Sequence, residues 1–137
     1  MTLVDTNVLL DVIAADQRWF EWSLRQLAQC AATGPVLVND IVYAEMSARM
    51  ETQSGVEQAL AGLHVQFERI PIDALFLAGK AYARYRASDG IRTGVLPDFF
   101  IGAHAQVLGI PILTRDVRRY RTYFPSVALI TPNRPSP

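Results

Sequence analysis

Short apolar runs alternate along the chain with longer stretches whose apolar positions recur every three or four residues, the pattern of strands separated by helices. Leu3-Val4 is the first run, ended by Asp5-Thr6-Asn7, three residues that all cap helices well. Val8-Leu9-Leu10 with Val12-Ile13 predicts a first helix, and a longer one is expected over about 18–32, stopped by Gly34-Pro35. Val36-Leu37-Val38 reads as a second strand, and Asn39 or Asp40 can cap a helix over 41–50. Ser54 opens a further helix through Val56, Leu60 and Leu63, and 67–70 reads as a third strand closed by Pro71. Asp73 is expected to cap a helix reaching Ala87, because Leu75, Phe76, Ala78, Ala81 and Tyr82 keep a period near 3.6.

Residues 88–96 form a polar loop with two glycines, and Pro97 suits the first turn of a helix over 98–108 that Gly109 stops. Ile112-Leu113 is a fourth strand, Thr114-Arg115-Asp116 begins a short helix to about Tyr123, and 127–130 is a last strand. Four to five strands this short and apolar, each followed by helix, suit a parallel sheet covered on both faces, an α/β fold. The 137 residues fit one domain over 1–130, with a Pro-rich tail over 131–137 that reads as mobile.

Half the residues are hydrophobic, enough for a core that needs neither disulfide nor structural metal. Cys30 is the only cysteine, which fits a reducing cytosol, and Met1-Thr2-Leu3-Val4-Asp5 does not read as a secretory leader. No apolar run approaches the roughly 18–20 residues that span a bilayer, so a cytoplasmic protein without membrane contact is expected. Formal net charge is zero, which argues against nucleic-acid binding by overall charge. The charge is divided unevenly, however. Residues 1–70 carry four arginines against nine acids, whereas 80–121 carry eight cations (Lys80, Arg84, Arg86, Arg92, Arg115, Arg118, Arg119, Arg121) against Asp89, Asp98 and Asp116. That division permits a local phosphate-binding surface, though solvated helix faces account for it equally well.

Four acids fall where chemistry is expected. In an open parallel sheet, sites form beyond the carboxyl ends of the strands. Asp5 ends the first strand, Asp116 follows the fourth by two residues, and Asp98 opens a helix delivered by the long loop before it. Glu45 shares a helix face with Ile41 and Ala48, a costly place for a carboxylate unless it is paired, metal-bound or reaching water. Each acid alone has an ordinary explanation: Asp5 as a cap, Asp98 and Asp116 as acids favoured near helix N-termini. Gathered together, four carboxylates would repel one another and some would protonate, unless a hard divalent cation such as Mg²⁺ or Mn²⁺ sat among them. His64 and His104 have no zinc-type spacing and read as ordinary histidines.

These residues carry a family resemblance. Asp5-Thr6-Asn7 after Val4, Glu45 in Ile41-Val42-Tyr43-Ala44-Glu45, Pro97-Asp98-Phe99-Phe100-Ile101-Gly102-Ala103-His104-Ala105, Ile112-Leu113-Thr114-Arg115-Asp116 and Arg119-Tyr120-Arg121-Thr122-Tyr123-Phe124-Pro125 follow one another in order and spacing. The sequence resembles the PIN-domain ribonucleases, most closely the VapC-type toxins of bacterial toxin–antitoxin pairs. The resemblance implies a three-layer α/β/α fold and Mg²⁺- or Mn²⁺-dependent RNA cleavage by Asp5, Glu45, Asp98 and Asp116 as metal-binding acids. It also implies Asn7 and Thr114 as supporting polar residues, a VapB-type antitoxin that blocks the site, and a homodimer. Arg115 above all, then Arg92 and Arg118, are expected to meet RNA phosphates, with Arg84, Arg86, Arg119 and Arg121 as further candidates. An acidic pocket with a basic rim would also accept an antitoxin arginine.

Two other classes compete. An aspartate-based phosphatase usually carries a second acid two residues after the first; Asn7 stands there, and Lys80, the only lysine, lies mid-helix. A non-catalytic RNA- or protein-binding module of the same fold is the other, and the complete acid set argues against it. Neither a P-loop nor a GxGxxG run is present.

Overall fold

The computed structural model describes residues 1–88 and 94–132. Arg92 and most of the Pro-rich tail, both named above, lie outside the described residues. The strands are β1 (Thr2–Val4), β2 (Val36–Val38), β3 (Val65–Phe67), β4 (Ile112–Leu113) and β5 (Leu129–Ile130). The helices are α1 (Thr6–Ile13), α2 (Phe20–Thr33), α3 (Asp40–Ser47), α4 (Gln53–Gly62), α5 (Ile72–Ala87), α6 (Leu96–Leu108) and α7 (Arg118–Tyr123).

All pairings are parallel, in the order β3-β2-β1-β4-β5. β1, β2 and β4 are buried along their whole length, which is why they read as unbroken apolar runs rather than alternating ones. The helices cover the sheet in a three-layer α/β/α arrangement, with the core running through Leu3, Val4, Leu37, Ile112 and Leu113 and out to Met46, Phe99 and Phe124 on the helices. The chain builds outward from β1 to β2 and β3, then crosses back to place β4 and β5 on the other side. The switch point therefore lies between β1 and β4, where a crevice opens beyond the strand ends.

Several boundaries differ from the sequence reading. The third strand is Val65–Phe67 instead of 67–70; Val65 is its buried residue, while Gln66 and Phe67 are exposed at a sheet edge. Thr52, not Ser54, caps α4 by accepting from the Gly55 amide. Asp73 lies inside the first turn of α5, whose flanking residue is Pro71. The last helix starts at Arg118, so Thr114, Arg115 and Asp116 form a loop before it. Asn39 caps α3 as expected, accepting from the Ile41 and Val42 amides. Gly109 ends α6 in the left-handed conformation (φ 67°).

Gly102 has a packing role. A Cβ there would lie 2.3 Å from a Phe124 ring carbon, so α6 approaches the end of α7 as closely as backbone allows. That approach fixes how α6 and α7 sit relative to each other, and both helices bring residues to the crevice.

Candidate active site

Asp5 caps α1 and stands at the end of β1, which places its carboxylate at the switch point. It is almost fully buried and takes three donors. The Thr6 amide donates to Oδ1 at 2.8 Å, while the Thr114 and Tyr120 hydroxyls each donate to Oδ2 at 2.9 Å. Burial raises its pKa; the three hydrogen bonds oppose that, and Glu45 adds to it. The Tyr120 phenol is itself fully buried and pushed well above its ordinary value, first by burial and then by Asp5, so it stays a donor.

Thr114 links the two sides of the crevice. Its hydroxyl gives its proton to Asp5 and accepts from the Asp116 amide at 3.0 Å and from Asn7 Nδ2 at 3.3 Å. Asn7 Oδ1 accepts from the Arg115 amide at 3.1 Å, which ties α1 to the loop after β4. On the other flank, Thr6 donates its hydroxyl to Glu45 Oε1 at 2.7 Å. Glu45 lies half-buried on α3.

Asp98 sits in the first turn of α6, half-buried, with Arg119 Nη1 3.5 Å from its Oδ2. Its pKa is pushed up to about 7, chiefly by burial, then by Asp5, with Asp116 and Glu45 adding to the effect and Arg119 opposing it. Asp98 thus feels all three other acids. Arg119 is largely buried, and its Nε has no hydrogen-bond partner among the described residues. Asp116 is more open and pairs with Arg118 at 3.2 Å, which lowers its pKa.

The four sequence-derived acids therefore arrive from four different elements at one end of the sheet and act on one another electrostatically. They do not meet as a finished cage: among the described residues, no three Asp, Glu, His or Cys side chains are grouped closely enough to hold a metal ion. Beside them runs a groove of about 830 Å³ lined by Asn7, Arg115, Asp116, Val117, Arg118, Arg121, Thr131 and Pro132. Asp5, Glu45 and Asp98 do not line it, so the groove leads up to the acids from the Asp116 side.

The arginines divide into two groups. Arg118 and Arg121 are exposed on the groove, whereas Arg115 is turned into a bidentate pair with the buried Asp11. Tyr120, Thr6 and Asp11 escaped the sequence reading as site residues. Thr6 was visible only as a cap, Asp11 as one acid among nine, and Tyr120 as part of a short helix with no hint of its long-range partner.

The comparisons bear on the family and the fold. The family model described as PIN domain matches residues 2–125, and the chain belongs to the PIN-domain family. Its fold is shared with the crystal structure of VapBC2 from Rickettsia felis bound to a promoter DNA fragment, at 15% identity, covering 96% of this chain and 98% of that one, with a TM-score of 0.70. A toxin–antitoxin complex from Klebsiella pneumoniae matches at 20% identity, over 97% and 98% of the two chains, with a TM-score of 0.65. FitAcB from Neisseria gonorrhoeae matches at 19% identity, over 96% and 97%, with a TM-score of 0.62. At these identities the likeness is one of fold. No curated protein sequence matches the chain.

Proposed function

We propose that this chain is a metal-dependent endoribonuclease, the toxin of a type II toxin–antitoxin pair, holding Mg²⁺ or Mn²⁺ through Asp5, Glu45, Asp98 and Asp116. One observation carries the reading. Asp5, Glu45, Asp98 and Asp116 come from four separate elements to one end of the sheet, and burial first, then Asp5, Asp116 and Glu45, pushes Asp98 up to about 7. An all-oxygen donor set under that strain fits a hard divalent cation. Held by these four carboxylates, such an ion would supply activation of a water and neutralisation of charge at the phosphodiester.

The chain's own residues supply the rest. Thr114 and Tyr120 fix the Asp5 carboxylate through two hydroxyl hydrogen bonds, and Thr6 orients Glu45. Asn7 holds the Thr114–Asp116 loop against α1. Arg118 and Arg121 line the groove and would receive RNA phosphates next to Asp116. Arg118 then has two partners to choose between, since Asp116 and a phosphate oxygen would compete for the same guanidinium. An antitoxin arginine entering the groove would exploit the same surplus of carboxylates. The toxin–antitoxin complexes named above support a VapB-type partner; a homodimeric toxin acting in the cytoplasm belongs to the same proposal. Among the described residues, no helix is long and apolar enough to cross a membrane.

The test uses purified chain and labelled single-stranded RNA with Mg²⁺ or Mn²⁺. Cleavage is expected to stop on adding a chelator and in both Asp5→Asn and Asp98→Asn, with far-ultraviolet circular dichroism unchanged. Metal-free cleavage, or full activity in both variants, would refute the mechanism. The open spacing of the acids favours one rival, a PIN-fold module that binds RNA or protein without cutting. Retained RNA binding with no cleavage under any divalent cation would favour that module.

A further inference from the structure

Arg115 neighbours Asp116 in the chain and contributes to the groove wall, yet its guanidinium is already committed. Its Nε donates to Asp11 Oδ2 at 2.7 Å and its Nη2 to Asp11 Oδ1 at 2.8 Å. Asp11 is almost fully buried and takes a third bond, from the Ser23 hydroxyl on α2 at 2.7 Å. The Arg115 guanidinium carbon also lies 5.0 Å from the centre of the Trp19 ring. The backbone of the same residue is held too, because its amide donates to Asn7 Oδ1. Asn7 and Asp11 are four residues apart and so lie on one face of α1. That face offers Arg115 two consecutive acceptors, an amide oxygen for its backbone and a carboxylate for its side chain.

We propose that Arg115 is a positioning residue and not an RNA contact: its pair with Asp11 sets the loop that carries Thr114 and Asp116 to the acid cluster. For its functional consequence the inference rests on the nuclease reading above. Turning the Nε and Nη2 donors of Arg115 to a phosphate would leave a buried carboxylate unpaired, which is strongly unfavourable. Fixed at both backbone and side chain, Arg115 leaves the loop one way to run. The Thr114 hydroxyl then meets Asp5, and Asp116 begins its course along the groove. A lysine could not reproduce the two parallel hydrogen bonds.

The experiment compares the full chain with Asp11→Asn, a near-isosteric change, and with Arg115→Lys and Arg115→Ala. Calorimetric titration with MnCl₂ reads metal affinity, and fluorescence anisotropy of a labelled single-stranded RNA without divalent cation reads RNA affinity. Asp11→Asn and Arg115→Lys should each weaken Mn²⁺ about tenfold, as loss of an outer-shell partner does, and leave RNA affinity unchanged. Two results overturn the proposal. One is weaker RNA binding in Arg115→Ala with Mn²⁺ affinity intact. The other is Mn²⁺ affinity unchanged in both Asp11→Asn and Arg115→Lys.

Amide hydrogen exchange supplies a readout independent of metal and RNA. Both Asp11→Asn and Arg115→Lys should speed exchange across 113–117 and spare α3 and α6. Unchanged exchange in that segment overturns the proposal. So does loss of protection throughout the chain in both variants, because the pair would then hold the fold at large and not the loop. If the unaltered chain binds no Mn²⁺ and cuts no RNA, the nuclease reading fails, and the exchange result alone decides whether Arg115 sets the loop.

Discussion

Asp98 is a side chain whose protonation bears directly on the folded state. Its folded pKa of about 7 stands above the value of 3.8 for the free group. A carboxyl with a raised folded pKa binds its proton more tightly folded than unfolded. The stability it contributes is therefore fully present below about pH 4 and lost as pH rises toward about 7. Metal-free protein should lose melting temperature over that window relative to Asp98→Asn. The difference is worth about 1–2 kcal/mol once solvent at its partly exposed carboxylate is allowed for, and Mn²⁺ should erase it. Identical pH profiles for the two proteins would contradict the assignment. A second residue-scale expectation concerns Tyr120→Phe, which keeps the ring and deletes the donor to Asp5. It should cost about 1 kcal/mol in denaturant unfolding and lower cleavage more than it lowers RNA binding, because Asp5 loses an orienting bond. Tyr120 shows why residue-level prediction stopped where it did. Asp5, Asp98 and Asp116 could be picked out because each stands beside a strand end or helix start, and Glu45 because a carboxylate on a partly apolar helix face needs a partner. A phenol bonded 115 positions away along the chain leaves no local trace.

At the scale of elements, the joint between α6 and α7 is the sharpest constraint. Gly102 faces the Phe124 ring with no room for a methyl group, and the ring is buried. Gly102→Ala should destabilise the chain by about 1–3 kcal/mol through overpacking, read as a lower urea midpoint. The same change should weaken Mn²⁺ binding, because α6 carries Asp98 and α7 carries Arg119 and Tyr120. An unchanged midpoint would show that Phe124 can turn aside. The elements themselves were mostly legible. Val36–Val38 and Ile112–Leu113 stood out because a central parallel strand is buried on both faces and so cannot alternate. The third strand was misplaced for the converse reason. At the sheet edge only Val65 of the three is buried, so the apolar Phe67 and Ile70 shift the sequence reading two residues too far. The loop after β4 was taken for the start of a helix because Thr114 and Asp116 resemble a cap. Tertiary bonds to Asp5 and Asn7 instead hold those residues out of helical geometry.

On the scale of the whole molecule, zero net charge has to be reconciled with a polyanionic substrate. Beside the acids, three arginines of the basic half are already paired. Arg115 is spent on Asp11, Arg119 is held against Asp98, and Arg118 rests on Asp116. Among the described residues that line the groove, Arg118 and Arg121 are the exposed arginines next to Asp116. RNA would therefore be held by few phosphate contacts, with the cation at the acids supplying much of the remaining attraction. For single strands each neutralised phosphate contributes about −0.7 to the slope of log affinity against log salt. Two contacts thus predict a slope of about −1.4 in the absence of divalent cation. Arg121→Ala should make that slope shallower by about 0.7, whereas Arg115→Ala should leave it unchanged. Fluorescence anisotropy over a series of KCl concentrations measures both. A slope steeper than about −3 would mean that RNA crosses a far wider basic surface than this groove. The acids would then be one stop along an extended track and not the place where binding is concentrated.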